Sequence, residues 1–105
     1  MSEHAVIVSF RCDTGALNDL FDLEEQLETV IEEASVGEFD GNELAMDGAD
    51  NRLYMYGPDA DALYNAVEET LLQASFLGDA NVLKRYGPPE DGVQEITIKL
   101  HKSDT

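Results

Sequence analysis

Between residues 4 and 34 the hydrophobic period changes once, and that change constrains the fold more than any other feature. In "HAVIVSFRC", Val6, Val8 and Phe10 alternate with Ile7, Ser9 and Arg11. This is the two-residue repeat of a strand, apolar enough to lie centrally in a sheet. From Asn18 the apolar positions become Leu20, Leu23, Leu27, Val30, Ile31 and Ala34. They form one face of an amphipathic helix, and Glu24, Glu25, Glu28, Glu32 and Glu33 take much of the remainder. Asn18 or Thr14 is expected to cap the start of this helix, and Gly37 to lie at its close.

The alternation of periods continues. "NELAMDG" is expected as a second strand with Leu44 and Met46 on one face, and "GADN" as a hairpin loop leading to a third strand, "RLYMY". Gly57-Pro58-Asp59 stops that strand and starts a second helix, with Asp59 its cap and Leu63, Val67, Leu71 and Ala74 facing inward. "NVLKRY" predicts a fourth strand, "GPPEDG" a turn, and "VQEITIKL" a fifth strand. The order β-α-β-β-α-β-β matches a ferredoxin-like α+β sandwich with an extra C-terminal strand. Its two helices cover one face of an antiparallel-rich sheet, in spatial order 4-1-3-2 with the fifth strand beside the fourth.

The totals agree with one domain over residues 1–105. A single cysteine, Cys12, excludes an internal disulfide and a cysteine-based zinc site, and its parity with Val6 and Phe10 predicts a core thiol. No apolar run approaches a membrane span, and "MSEHAVIVSF" lacks the features of a signal peptide, so the expected location is cytoplasmic. Twenty-three acids against six basic residues give a net charge of −17. Such a field repels phosphate backbones, which disfavours nucleic acid, and it attracts a basic protein or suits a high-salt environment.

Tyr-Gly-Pro occurs twice, as Tyr56-Gly57-Pro58 and Tyr86-Gly87-Pro88. Gly and Pro punctuate a strand end because Pro cannot extend a ladder. In the expected topology both blocks surface at one rim of the sheet. A candidate site there comprises Tyr56, Tyr86, Asp40, Asn42, Glu43, Asp59 and His4. Acids beside tyrosines suit a cationic group; Asp61, Glu90 and Asp91 oppose an anion at the nearby helix start. No calcium-loop spacing, nucleophile elbow, phosphate loop or dinucleotide fingerprint occurs, so neither a metal nor a cofactor is expected. His4 and His101 lie near the two ends, where a solvated histidine is the ordinary outcome. No catalytic residue is assigned.

The uncovered sheet face is expected to carry Arg11, Arg52, Tyr54, Tyr56 and Lys99, along with Ile7, Ser9 and Thr97. Three of the six basic residues would thus share a face with two tyrosines, while the helices are acidic. Tyr and Arg are favoured anchors of protein interfaces. The aromatic signature of an RNA-binding sheet is missing.

The blocks "EFDGNEL", "RLYMYGPDADAL" and "LKRYGPPEDG" resemble those of a set of small bacterial proteins with no assigned function. That resemblance covers nearly the whole chain and implies no activity, cofactor or catalytic residue. The expected function is therefore a non-enzymatic cytoplasmic binding protein, with the open sheet as a homodimer or partner surface. Two alternatives are an acidic inhibitor, similar in logic to immunity proteins that neutralise basic toxins, and a small enzyme using the tyrosine and carboxylate rim.

Overall fold

A computed structural model describes residues 3–11, 17–45, 51–74, 77–88 and 90–100, with only the backbone path at 78 and 79. Five strands and two helices follow in the order β1 (His4–Arg11), α1 (Leu17–Ala34), β2 (Glu38–Glu43), β3 (Asn51–Gly57), α2 (Ala60–Gln73), β4 (Gly78–Arg85) and β5 (Glu95–Lys99). The strands form one sheet in the order β2-β3-β1-β4-β5, with every neighbouring pair antiparallel. Both helices lie on one side, and α1 and α2 pack against each other. This is the ferredoxin-like α+β sandwich with a fifth strand at the edge. Among the described residues no helix is long and apolar enough to cross a membrane.

The core forms where the two periods meet. Val6, Val8 and Phe10 from β1, Leu53 and Met55 from β3, and Val82 from β4 point to the helices. Leu20, Leu23, Leu27 and Ile31 of α1 and Leu63, Val67 and Leu71 of α2 meet them, all buried. Of the expected α1 stripe, Val30 is half-buried and Ala34, at the end of the helix, is exposed. That ending is a two-bond C-cap: Ser35 N–H donates to Glu32 O (3.2 Å) and Val36 N–H to Ile31 O (3.3 Å). Ser35, at φ 55°, takes the left-handed position that Gly37 was expected to supply. Gly37 serves the next problem. A Cβ there would strike the Tyr56 carbonyl, and a Cβ on Gly57 would strike the Val36 carbonyl. Two glycines thus let the α1–β2 connection press against the end of β3.

Three boundaries depart from expectation. Asn18 is the second residue of α1 and not its cap, while Thr14 lies outside the described residues. The second strand runs Glu38–Glu43, ahead of "NELAMDG"; Leu44 follows it, 37% exposed, and Met46 and the "GADN" loop up to Asp50 are outside the described residues. The reason is a bulge between Phe39 and Gly41, with Gly41 at φ 125°. A bulge breaks the period of two, so "EFDGNE" shows no alternation although Phe39 packs on the core. Finally, β4 begins at Gly78, before "NVLKRY". Cys12 and His101 lie outside the described residues.

Candidate functional site

The ends of β3 and β4 and the starts of β1, β2 and β5 share one rim, since His4 pairs with Gly57, Glu38 with Tyr56, and Arg85 with both Ala5 and Glu95. Both Tyr-Gly-Pro blocks leave the sheet there. Strand parity nevertheless sends their tyrosines to opposite faces. Tyr86 follows Val82 and Lys84 to the helix side, whereas Tyr56 follows Arg52 and Tyr54 to the open side.

On the helix side, the start of α2 organises a polar cluster. Asp59 is the N-cap and accepts from Asp61 N–H (3.0 Å) and Ala62 N–H (3.3 Å). The Ala60 N–H donates to His4 Nδ1 at 3.0 Å, so a side chain from β1 satisfies another of the free donors of the helix end. The Tyr86 ring meets His4 edge-on, with centroids 5.7 Å apart and planes at 76°. Its hydroxyl donates to Asp61 Oδ1 at 2.6 Å, and Lys84 Nζ donates to the same oxygen at 3.0 Å. Lys84 also lies 5.4 Å from the Tyr64 ring centroid.

Asp61, Tyr86 and Lys84 reinforce one another's ordinary charge states. The Tyr86 hydrogen bond, followed by that from Lys84, holds the Asp61 carboxyl below its usual range. The Asp61 carboxylate in turn raises both the Tyr86 phenol and the Lys84 ammonium. Near neutrality Tyr86 and Lys84 keep their protons and Asp61 its charge. A general acid or base needs a pKa close to working pH, and these three are driven away from it. Their arrangement suits a clamp between β4 and α2.

Of the other candidate rim residues, Asp40 lies near enough to Tyr56 to help raise its phenol pKa, after the larger effect of burial. Asn42 and Glu43 do not reach the rim. Because β2 starts at Glu38, they stand opposite Leu53 and Arg52, toward the far end of β3. Asn42 Nδ2 donates to both carboxylate oxygens of Glu24 on α1, at 2.9 and 2.7 Å. Burial raises the Glu24 carboxyl, and this bond acts the other way. Glu43 forms an ion pair with Arg52 at 3.0 Å.

The open face resolves into three rows that cross the sheet. The rim row reads Glu38, Tyr56, Ala5, Arg85, Glu95; the middle row Gly41, Tyr54, Ile7, Leu83, Thr97; the far row Glu43, Arg52, Ser9, Asn81, Lys99. Arg11, exposed, continues β1 beyond the far row. An aromatic and aliphatic stripe is thus flanked on both sides by charge, the usual layout of an interface with an apolar centre and polar border.

Arg85 is the residue that sequence reasoning missed on this face. In "NVLKRY" both parities pair an aliphatic with a cation, Val82 with Lys84 and Leu83 with Arg85, so alternation alone does not choose between them. Arg85 is only 8% exposed, and its Nε donates to Gly87 O at 2.8 Å. Ala5 stands between Tyr56 and Arg85 in the two ladders and is itself fully buried. The Arg85 charge opposes part of the rise in the Tyr56 pKa. The expected Arg11, Arg52, Tyr54, Tyr56 and Lys99 all belong to this face.

Elsewhere, a groove of about 380 Å³ between the helices is lined by Asp19, Asp22, Gln26, Thr70 and neighbours, on the side away from the open sheet. Among the described residues no group of three or more His, Cys, Asp or Glu is placed to hold a metal ion.

Fold and site together define a ferredoxin-like module with both helices over one sheet face and, among the described residues, no helix over the other. No family model matches the chain, and no curated protein does. Among solved structures it is similar to Rv0793 from Mycobacterium tuberculosis. The TM-score is 0.54 and identity 16%, over 99% of this chain and 100% of that one. A likeness at this identity is one of fold.

Proposed function

We propose that this chain is a non-enzymatic binding protein of the cytoplasm that docks a partner protein through its open sheet face. The observation that carries the reading is the three-row layout, in which Tyr54, Ile7 and Leu83 form a stripe bordered by Arg52 and Lys99 on one side and Tyr56 and Arg85 on the other. A half-buried tyrosine with aliphatic neighbours inside a charged border gives affinity at the centre and orientation at the edge. The helical layer has the opposite character: α1 carries seven acids and α2 three, with no Lys or Arg in either. The border of the open face also carries Glu38, Glu43 and Glu95, so a complementary partner offers apolar surface ringed by groups of both signs.

Capture from native lysate with three baits tests this reading. The baits are the wild type, Tyr54→Glu on the open face, and Glu28→Lys/Glu32→Lys on α1. Each is used at about 0.1 M and about 1 M salt, where the screening length falls from ~10 to ~3 Å. A partner lost with Tyr54→Glu and kept with the α1 variant supports docking through the sheet. A partner lost with the α1 variant alone, and released by salt, replaces this reading with that of an acidic inhibitor using its helices.

A further inference from the structure

We infer that β5 is a self-pairing edge, through which two copies of this chain join into one ten-stranded sheet about a two-fold axis at Thr97. The inference is independent of what docks on the open face. The strand stands at the end of the sheet, with β4 on one side only. Tyr86 N–H donates to Gln94 O and Leu100 N–H to Ala80 O, each at 2.9 Å. Even-numbered residues along this stretch therefore turn their backbone groups to β4. Glu95, Thr97 and Lys99 turn theirs outward, and among the described residues nothing pairs with them.

The sequence of the strand, Glu-Ile-Thr-Ile-Lys, is complementary to its own reverse. In an antiparallel pair centred on Thr97, Glu95 of each copy faces Lys99 of the other, and Ile96 faces Ile98. This register also brings outward-facing residues opposite one another, so each copy donates three backbone hydrogen bonds and accepts three. Shifting it by two residues in total sets Glu95 against Thr97 and loses both charge pairs. A lone Lys on an edge deters association; an acid four positions earlier turns the deterrent into a lock on register.

Two further observations favour a second copy here. Neither helix reaches over β5, so on the helix side Ile96 is 39% exposed and Ile98 partly so. The self-pair covers these side chains with their own equivalents. The opposite edge, by contrast, is blunted. In β2 the bulge at Phe39 and Gly41 interrupts the ladder, and Glu38, Asp40 and Glu43 repel a copy of themselves. A sheet with one blocked edge and one regular edge closes as a dimer and does not grow into a fibre.

Sedimentation velocity over a concentration series tests the pairing. The wild type is expected to dimerise. Thr97→Pro deletes an outward N–H that β4 does not use and should give a monomer with unchanged far-ultraviolet circular dichroism. Glu95→Lys and Lys99→Glu each place like charges opposite one another and should weaken self-association about tenfold. Mixed together they regain the dimer, because each Lys then faces a Glu. A wild type that stays monomeric overturns the inference, as does a dimer that survives Thr97→Pro. If Thr97→Pro does not fold, the exposed charge variants decide: a mixture no tighter than either variant alone also overturns it.

Discussion

Tyr56 and Tyr86 leave the sheet at the same rim and point to opposite faces of it. The repeated Tyr-Gly-Pro therefore serves two surfaces. Tyr86 ties β4 to the start of α2 through Asp61, and Tyr56 lies with Arg85 on the uncovered side. The glycines after them differ as well, and this difference is open to measurement.

Gly57 abuts the Val36 carbonyl, a backbone atom that cannot turn aside, whereas a Cβ on Gly87 would meet only the Val93 side chain, at 2.8 Å. Gly57→Ala should cost about 3 kcal/mol, as overpacking against fixed atoms does. Gly87→Ala should cost about 1 kcal/mol or less, since Val93 can change rotamer. Urea unfolding of the two variants checks the order; equal losses would contradict it.

Asp61→Asn should weaken the fold at neutral pH and leave it unchanged in strong acid. The Asp61 pKa is lowered in the folded chain from an ordinary 3.8. Its contribution is thus fully present above that value and lost as pH falls through the lowered one. The same substitution removes the acceptor that raises the Tyr86 phenol above 10.0, so one tyrosine should ionise at lower pH in the variant. Melting curves from pH 2 to 7 and an ultraviolet tyrosine titration provide the two readouts.

Asn51, 2% exposed, joins three segments: its Oδ1 accepts from Ala45 N–H at 2.9 Å, and its Nδ2 donates to Phe10 O at 3.3 Å. Asn51→Leu leaves a donor and an acceptor without this partner. The expected loss is about 1–3 kcal/mol, and calorimetric melting measures it.

With a net charge of −17, the folded chain repels itself. Raising salt from about 0.1 to about 1 M should raise Tm by about 5 °C, which for a domain of this size is about 1 kcal/mol. A Tm that stays level or falls with salt would mean that local pairs such as Glu43–Arg52 and Asp61–Lys84 outweigh the overall repulsion.

Most of the sheet was legible because β1, β3 and β5 alternate cleanly and both helices keep a regular stripe. Strand order followed from connectivity, and the shared rim followed from strand order. What stayed hidden was local. Gly41 looks like a turn residue, and the bulge beside it hides the alternation of "EFDGNE". The true start of β2 at Glu38, which puts Asn42 and Glu43 away from the rim, was therefore not legible. Lys84 and Arg85 are adjacent cations, and register alone decides that Lys84 binds Asp61 while Arg85 lies under the open face. The Ser35 cap was masked by Gly37, a better-suited residue two positions later that is needed for a close backbone approach.

The placement of Arg11, Arg52, Arg85 and Lys99 opposite two helices without a Lys or Arg has a consequence before any contact is made. The molecule is an electric dipole as well as an anion. In the field of a negatively charged neighbour it feels a net push and also a torque that turns the tyrosine-bearing side forward. Approach to such a neighbour is thus biased by angle.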